Sequence, residues 1–200
     1  KSFTDLEKEI NEVNHKQFPV IDEEIGKQMK QEIENARDRQ DSVGGILETV
    51  ISGVEAGIGE PSFSSLESML SEAMFSIPAV KGIEFGSGFD FANMYGSEAN
   101  DVWIIQDNKV ITKTNHNGGI NGGIANGMPI TFKTVIKPTP SISLEQDSVN
   151  YETKENVKLS ISGRHDPAII HRARAVVDAM TALVIADAYM MTYGRKWFEK

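Results

Sequence analysis

Gly163-Arg164-His165-Asp166-Pro167 sets a guanidinium, an imidazole and a carboxylate side by side. These are the groups needed to hold an anion and to move a proton beside it. His171, Arg172 and Arg174 follow at once. Cations at the start of a helix lie at the positive end of its dipole and are unfavourable there unless an anion offsets them. The segment therefore reads as an anion site, with Asp166 as a proton acceptor or donor. The same residues also have a purely structural use: Asp166 suits an N-cap, Pro167 suits the first helical position, and Gly163 ends the preceding strand.

Two further segments could meet an anion. Lys137-Pro138-Thr139-Pro140-Ser141 carries an ammonium and two hydroxyls on a backbone fixed by proline, which can hold a phosphate; a strand end followed by a turn explains it too. The run from Asn115 to Gly127 repeats Gly-Gly-Ile. It offers either tight turns alone or backbone N–H groups facing an anionic or planar ligand. It lacks both the P-loop and the dinucleotide glycine patterns. His15, His116, His165 and His171 have no partner at metal-ligand spacing, so no metal is expected.

These segments need elements to position them. Ile21, Ile25, Met29 and Ile33 form a stripe at helical spacing that predicts a helix to about Arg39, followed by a turn at Asp41 to Gly45 and a strand over Ile46–Val54. Ser62 to Ser65 offer caps for a second helix carrying the stripe Leu66, Met69, Leu70, Ala73, Met74 and Ile77. Strands are expected over Met128–Ile136 and Val157–Ser162, and the stretch between them has no helical pattern, which favours antiparallel pairing. A last helix from Pro167 to about Tyr193 has an apolar stripe wide enough for a largely buried element. The fold class is α+β, a layered sandwich of helices and antiparallel sheets in a single domain over 1–200.

Composition narrows the function. The 200 residues contain no cysteine, which excludes disulfides, thiolate metal sites and a cysteine nucleophile, and fits a cytoplasmic setting. A net charge of −9 argues against nucleic acid and anionic membrane as partners. Residues 161–200 are the exception, with six basic side chains and four acidic ones, so an anionic small molecule belongs there. The most apolar run, Ala175 to Met191, is broken by Asp178 and Asp187, which speaks against a membrane span. The chain begins at Lys1 without methionine, as expected of a tagged, processed or truncated product.

Arg164-His165-Asp166-Pro167-Ala168, continuing through Val176 to Met180, resembles the C-terminal signature of chorismate synthase. The blocks from Asn115 to Ile124 and Lys137-Pro138-Thr139 are similar to two more blocks of that family in the same order, as are Gly57 to Pro61 and Ala79 to Glu84. Departures are Asp178 where the family has Glu, Ala173-Arg174-Ala175-Val176 where it has Ala-Val-Pro-Val, and Pro78-Ala79 where some members have Asn-Ala. The family's two catalytic histidines and its Ser-Ser-Ala-Arg block have no counterpart here, so the resemblance is to the C-terminal half, and the fold is expected to be incomplete. It implies a reduced-FMN-dependent elimination of phosphate from 5-enolpyruvylshikimate 3-phosphate in a homotetramer. Ala79, Gly122, Lys137, Pro138, Thr139, Pro140, Ser141 and Arg164 would line the FMN site, with Asp166 catalytic near the flavin N5. The alternative is a folded, inactive fragment that binds ligand or oligomerises.

Overall fold

The structure is a computed structural model that describes residues 6–194. They form two compact units, residues 6–45 with 136–173 and residues 46–135 with 174–194.

In the first unit, helices α1 (Leu6–Asn14) and α2 (Glu23–Asp38) precede the turn at 40–44. Asp22 caps α2, its Oδ1 accepting from Glu24 N (2.9 Å) and Ile25 N (3.1 Å), and Glu23 and Glu24 occupy the favourable end of the dipole. The apolar stripe does not form the packed face: Ile21, Ile25 and Met29 are half-exposed, whereas Gly26 and Ala36 are buried.

Strands β8 (Gln146–Asn150) and β9 (Glu155–Leu159) pair with each other in an antiparallel hairpin whose turn is held by Asn150 Oδ1, which accepts from Glu152 N and Thr153 N. The expected pairing of the two strands flanking this region is thereby corrected. A self-closing Asn turn lets β9 satisfy its ladder with the nearest partner, at low loop-closure cost.

The second unit contains a three-stranded sheet in the order β1-β7-β2, from β1 (Gly45–Ile51), β7 (Ile130–Ile136) and β2 (Val80–Phe85). Helix α3 (Leu66–Phe75) packs on β2 and is capped by Ser65, whose Oγ accepts from Ser68 N at 3.1 Å. Leu66, Leu70 and Met74 share one helical face and are fully buried, as are Ile58, Ile130 and Phe132. Each such side chain contributes roughly 1.5–3 kcal/mol on burial.

The short helix α4 (Gly96–Ala99) leads into the hairpin of β3 (Trp103–Gln106) and β4 (Lys109–Thr112). Its tight turn has Asp107 and Asn108 both at positive φ, the geometry that matches strand twist. The two-residue strands β5 (Ile120–Asn121) and β6 (Ile124–Ala125) form a smaller hairpin within the glycine run. Helices thus alternate with antiparallel pairs in open sheets, an α+β architecture.

Helix α5 (Ile170–Tyr193) starts three residues later than expected. Asp166 is not its N-cap, because its carboxylate is taken by the Arg172 guanidinium and the Pro167 carbonyl accepts from Val43 N at 2.8 Å. The expectation of a largely buried helix is also overturned. Val177, Thr181 and Ala188 are buried, while Val176, Leu183, Met190 and Met191 are exposed, with Leu183 at 65%. Its apolar stripe runs far round the helix, and one packed surface covers only one side. By length and composition alone α5 is long and apolar enough to cross a membrane despite Asp178 and Asp187, a test that the core helix of a soluble protein also passes.

Candidate functional site

Two of the three anion-binding segments meet in the first unit. Ser141 Oγ lies 3.2 Å from His165 Nδ1, and His165 Nε2 lies 3.0 Å from the Ile161 carbonyl oxygen, so the Lys137–Ser141 block is bonded to the Arg164–Asp166 block. The turn at 40–44 stitches both. Ser42 Oγ donates to Thr139 O (2.7 Å), Leu144 N donates to Gln40 O (3.3 Å), and Val43 N donates to Pro167 O. Gly44 is required by close approach, since a Cβ there would run into the Ile136 carbonyl and the Pro138 ring. Sequence reading took this turn as a simple connection. Its signal is the paired Gly44-Gly45 beside a hydroxyl.

The donors on these blocks are poised for an anion. Lys137 and Arg164 are exposed and have no ion-pair or hydrogen-bond partner among the described residues. The Thr139 hydroxyl is buried with no hydrogen-bond partner, a state that costs about 1–3 kcal/mol unless a ligand satisfies it. Pro138 and Pro140 are exposed and hold the backbone between these donors. Asp166 gives one carboxylate oxygen to Arg172. Two free cations, an orphaned hydroxyl and the Ser141 hydroxyl suit a phosphate-bearing group, so the residues present fit FMN.

Ala79 and Gly122 belong to the second unit. Ala79 has φ +72, a left-handed conformation that is strained for a residue with a side chain and that concentrates at functional sites. Gly122 turns the β5–β6 hairpin at φ +58 and faces open space, with no atom within 4 Å of where its Cβ would be. By contrast Gly118 and Gly119 are buried, and a Cβ on either would strike the backbone of Gly86 or Pro129. The glycine run therefore serves close backbone packing at these two positions and leaves accessible backbone at Gly122.

Asp101, missed by sequence reading, organises that run. Its carboxylate accepts from Thr114 Oγ1 (2.7 Å), His116 N (2.7 Å), Asn117 N (2.9 Å) and Asn117 Nδ2 (2.8 Å). Burial opposes its charge, but these hydrogen bonds outweigh burial and hold the carboxyl below its ordinary range. His116 Nδ1 is bonded to Ser87 Oγ at 3.0 Å. On β2 and β7, Glu84 and Lys133 pair at 3.0 Å, which lowers the carboxyl and raises the amine.

A separate apolar groove of about 430 Å³ lies in the same unit between β1 and α5, lined by Val50, Ile51, Ile185 and Tyr189. Asp178 borders it, and burial pushes its carboxyl up against the opposing effect of Arg174.

A mixed helix-and-sheet fold with antiparallel hairpins, carrying a cationic turn and a glycine-rich hairpin run, defines an α+β protein. The chorismate synthase family model matches residues 2–190, and the chain belongs to that family. It is 49% identical to chorismate synthase of Methanococcus maripaludis over 160 residues, covering 80% of this chain and 43% of the relative. It is 46% identical to that of Archaeoglobus fulgidus over 187 residues, covering 94% and 52%. A solved chorismate synthase crystal structure superposes with a TM-score of 0.68 at 28% identity, over 86% of this chain and 44% of that one. The chain spans about half the length of the curated relatives it matches.

Proposed function

We propose that this chain is the C-terminal part of a reduced-FMN-dependent carbon–oxygen lyase that forms chorismate from 5-enolpyruvylshikimate 3-phosphate. The observation that carries this reading is the cluster of unsatisfied donors in the first unit: Lys137, Arg164 and the buried Thr139 hydroxyl. Reduced FMN supplies the redox chemistry of an elimination that is redox-neutral overall. Lys137 and Arg164 bind anionic groups, Thr139 and Ser141 donate hydroxyl hydrogen bonds, and Gly122 and Ala79 offer backbone to the flavin. Asp166 takes a proton at the carboxylate oxygen that Arg172 leaves free, while the pairing with Arg172 orients the group. In the reaction the bond from carbon to phosphate oxygen breaks, a ring hydrogen is lost, and a second ring double bond forms.

The working protein is a cytoplasmic homotetramer in this reading, and a single domain over 1–200 supplies half of each site. The test is anaerobic turnover of the full-length protein with reduced FMN, followed by chorismate absorbance; no chorismate above a no-protein control would refute it. The alternative reading is a folded, inactive fragment that binds ligand or oligomerises.

A further inference from the structure

His165 has two partners of different kinds. The Ile161 carbonyl only accepts, so Nε2 carries a hydrogen whatever the charge on the ring. Ser141 Oγ, facing Nδ1, both donates and accepts. While the imidazole is neutral, Nδ1 is an acceptor and Ser141 must spend its only hydrogen there. Once the ring is protonated, Nδ1 donates to Ser141 Oγ and the hydroxyl hydrogen is released for another acceptor. Both bonds of the ring therefore survive protonation, but the direction of the serine bond reverses.

We propose that Ser141 and His165 form a proton-linked latch at the anion site. A phosphate monoester that accepts the Ser141 hydroxyl leaves neutral Nδ1 facing an oxygen without a donor between them. Uptake of one proton from solvent onto Nδ1 restores the bond, with Nδ1–H donating to Oγ, and adds a positive charge beside the bound dianion. His165 is a positioning residue, acting on the ligand through Ser141. The segments that meet at the ring, 137–144 and 160–166, carry three other charged groups: Lys137, Arg164, and Asp166, which is paired with Arg172. None is bonded to the imidazole among the described residues. The latch rests on the reading of Ser141 as part of an anion site.

The experiment is calorimetric titration of the full-length protein with FMN in one arm and 5-enolpyruvylshikimate 3-phosphate in the other. Each titration is made in two buffers of different ionisation enthalpy, so that net proton uptake is read directly. Wild type is compared with S141A and H165Q; glutamine keeps an N–H for Ile161 but cannot be protonated. The phosphate's own titration is common to all three proteins. We expect wild type to take up a fraction of a proton that both variants lack, in whichever arm places its phosphate at Ser141. Its affinity should also fall more steeply than theirs as the pH is raised. Equal uptake by all three proteins with saturable binding would overturn the latch and leave the anion site standing. Absence of saturable binding by wild type in both arms would overturn the site and the latch together. S141A carries the comparison should H165Q not fold.

Discussion

Arg164 and Asp166 are neighbours in sequence with opposite situations in the structure. Arg164 is an exposed cation without a partner among the described residues, whereas Asp166 is already in an ion pair. A charge-assisted contact is worth about 1.5–3 kcal/mol. Arg164→Ala in the full-length protein should therefore weaken FMN binding by roughly ten- to a hundredfold. Lysine should recover only part, because it restores charge without the planar fork. Titration of the three proteins at one salt concentration reads this, and equal affinities would place Arg164 outside the site. Asp166→Asn should leave flavin binding within about tenfold and slow turnover by roughly 10²-fold, the low end for a lost acid–base group. Asp166 does not cap α5, so the melting temperature should move little. A large fall in melting temperature with unchanged turnover would show that its pairing with Arg172 is its only work.

At the scale of elements, the turn at 40–44 and the glycine run are the parts whose geometry is tightest. Gly44→Ala drives a methyl group into the Ile136 carbonyl, and overpacking of this kind costs about 1–3 kcal/mol, measurable by urea denaturation. The same variant should loosen FMN binding, since the displaced strand end leads directly into Lys137. Asp101 makes a pH prediction. Its carboxyl is held below its ordinary range, so the stability it contributes is present above the unfolded value and lost as pH falls through the folded one. Glu84, lowered mainly by the hydrogen bond from Lys133, acts in the same direction. Stability should therefore decline below about pH 4, the ordinary carboxylate range, and Asp101→Asn should flatten that decline while lowering stability at neutral pH by about 2 kcal/mol. A decline of unchanged steepness in Asp101→Asn would remove Asp101 as its source. Local signals made much of this legible. Ser65, within the segment expected to cap the second helix, does cap it, and Leu66, Leu70 and Met74 of that helix's apolar stripe form the buried face. Strand partners were not legible, because pairing depends on what else is near: β7 lies between β1 and β2, and β9 finds β8. Nor was the start of α5, where an ion pair between Asp166 and Arg172 prevails over capping propensity.

For the molecule as a whole, the matching blocks, with their order along the chain, were readable from residue types alone. What holds the blocks is distributed over segments with no motif of their own, such as Gln40 to Gly44 and Asp101. The chain spans about half of its relatives and leaves Leu183, Met190 and Met191 of α5 exposed. By itself it should show no lyase turnover even with reduced FMN, and chorismate formed above a no-protein control under anaerobic conditions would contradict this. The β8–β9 hairpin stands apart from these constraints. It leaves the chain near Ser143 and returns at Ser160, where Ser160 Oγ donates to Ser143 O at 3.2 Å, and every residue of β9 is exposed. Both ends are pinned, so residues can be gained or lost in cross-strand pairs at the tip without shifting Ser141 or His165. Insertions and deletions should accumulate there as sequences diverge, which makes the tip a natural place to graft an epitope or a fluorophore.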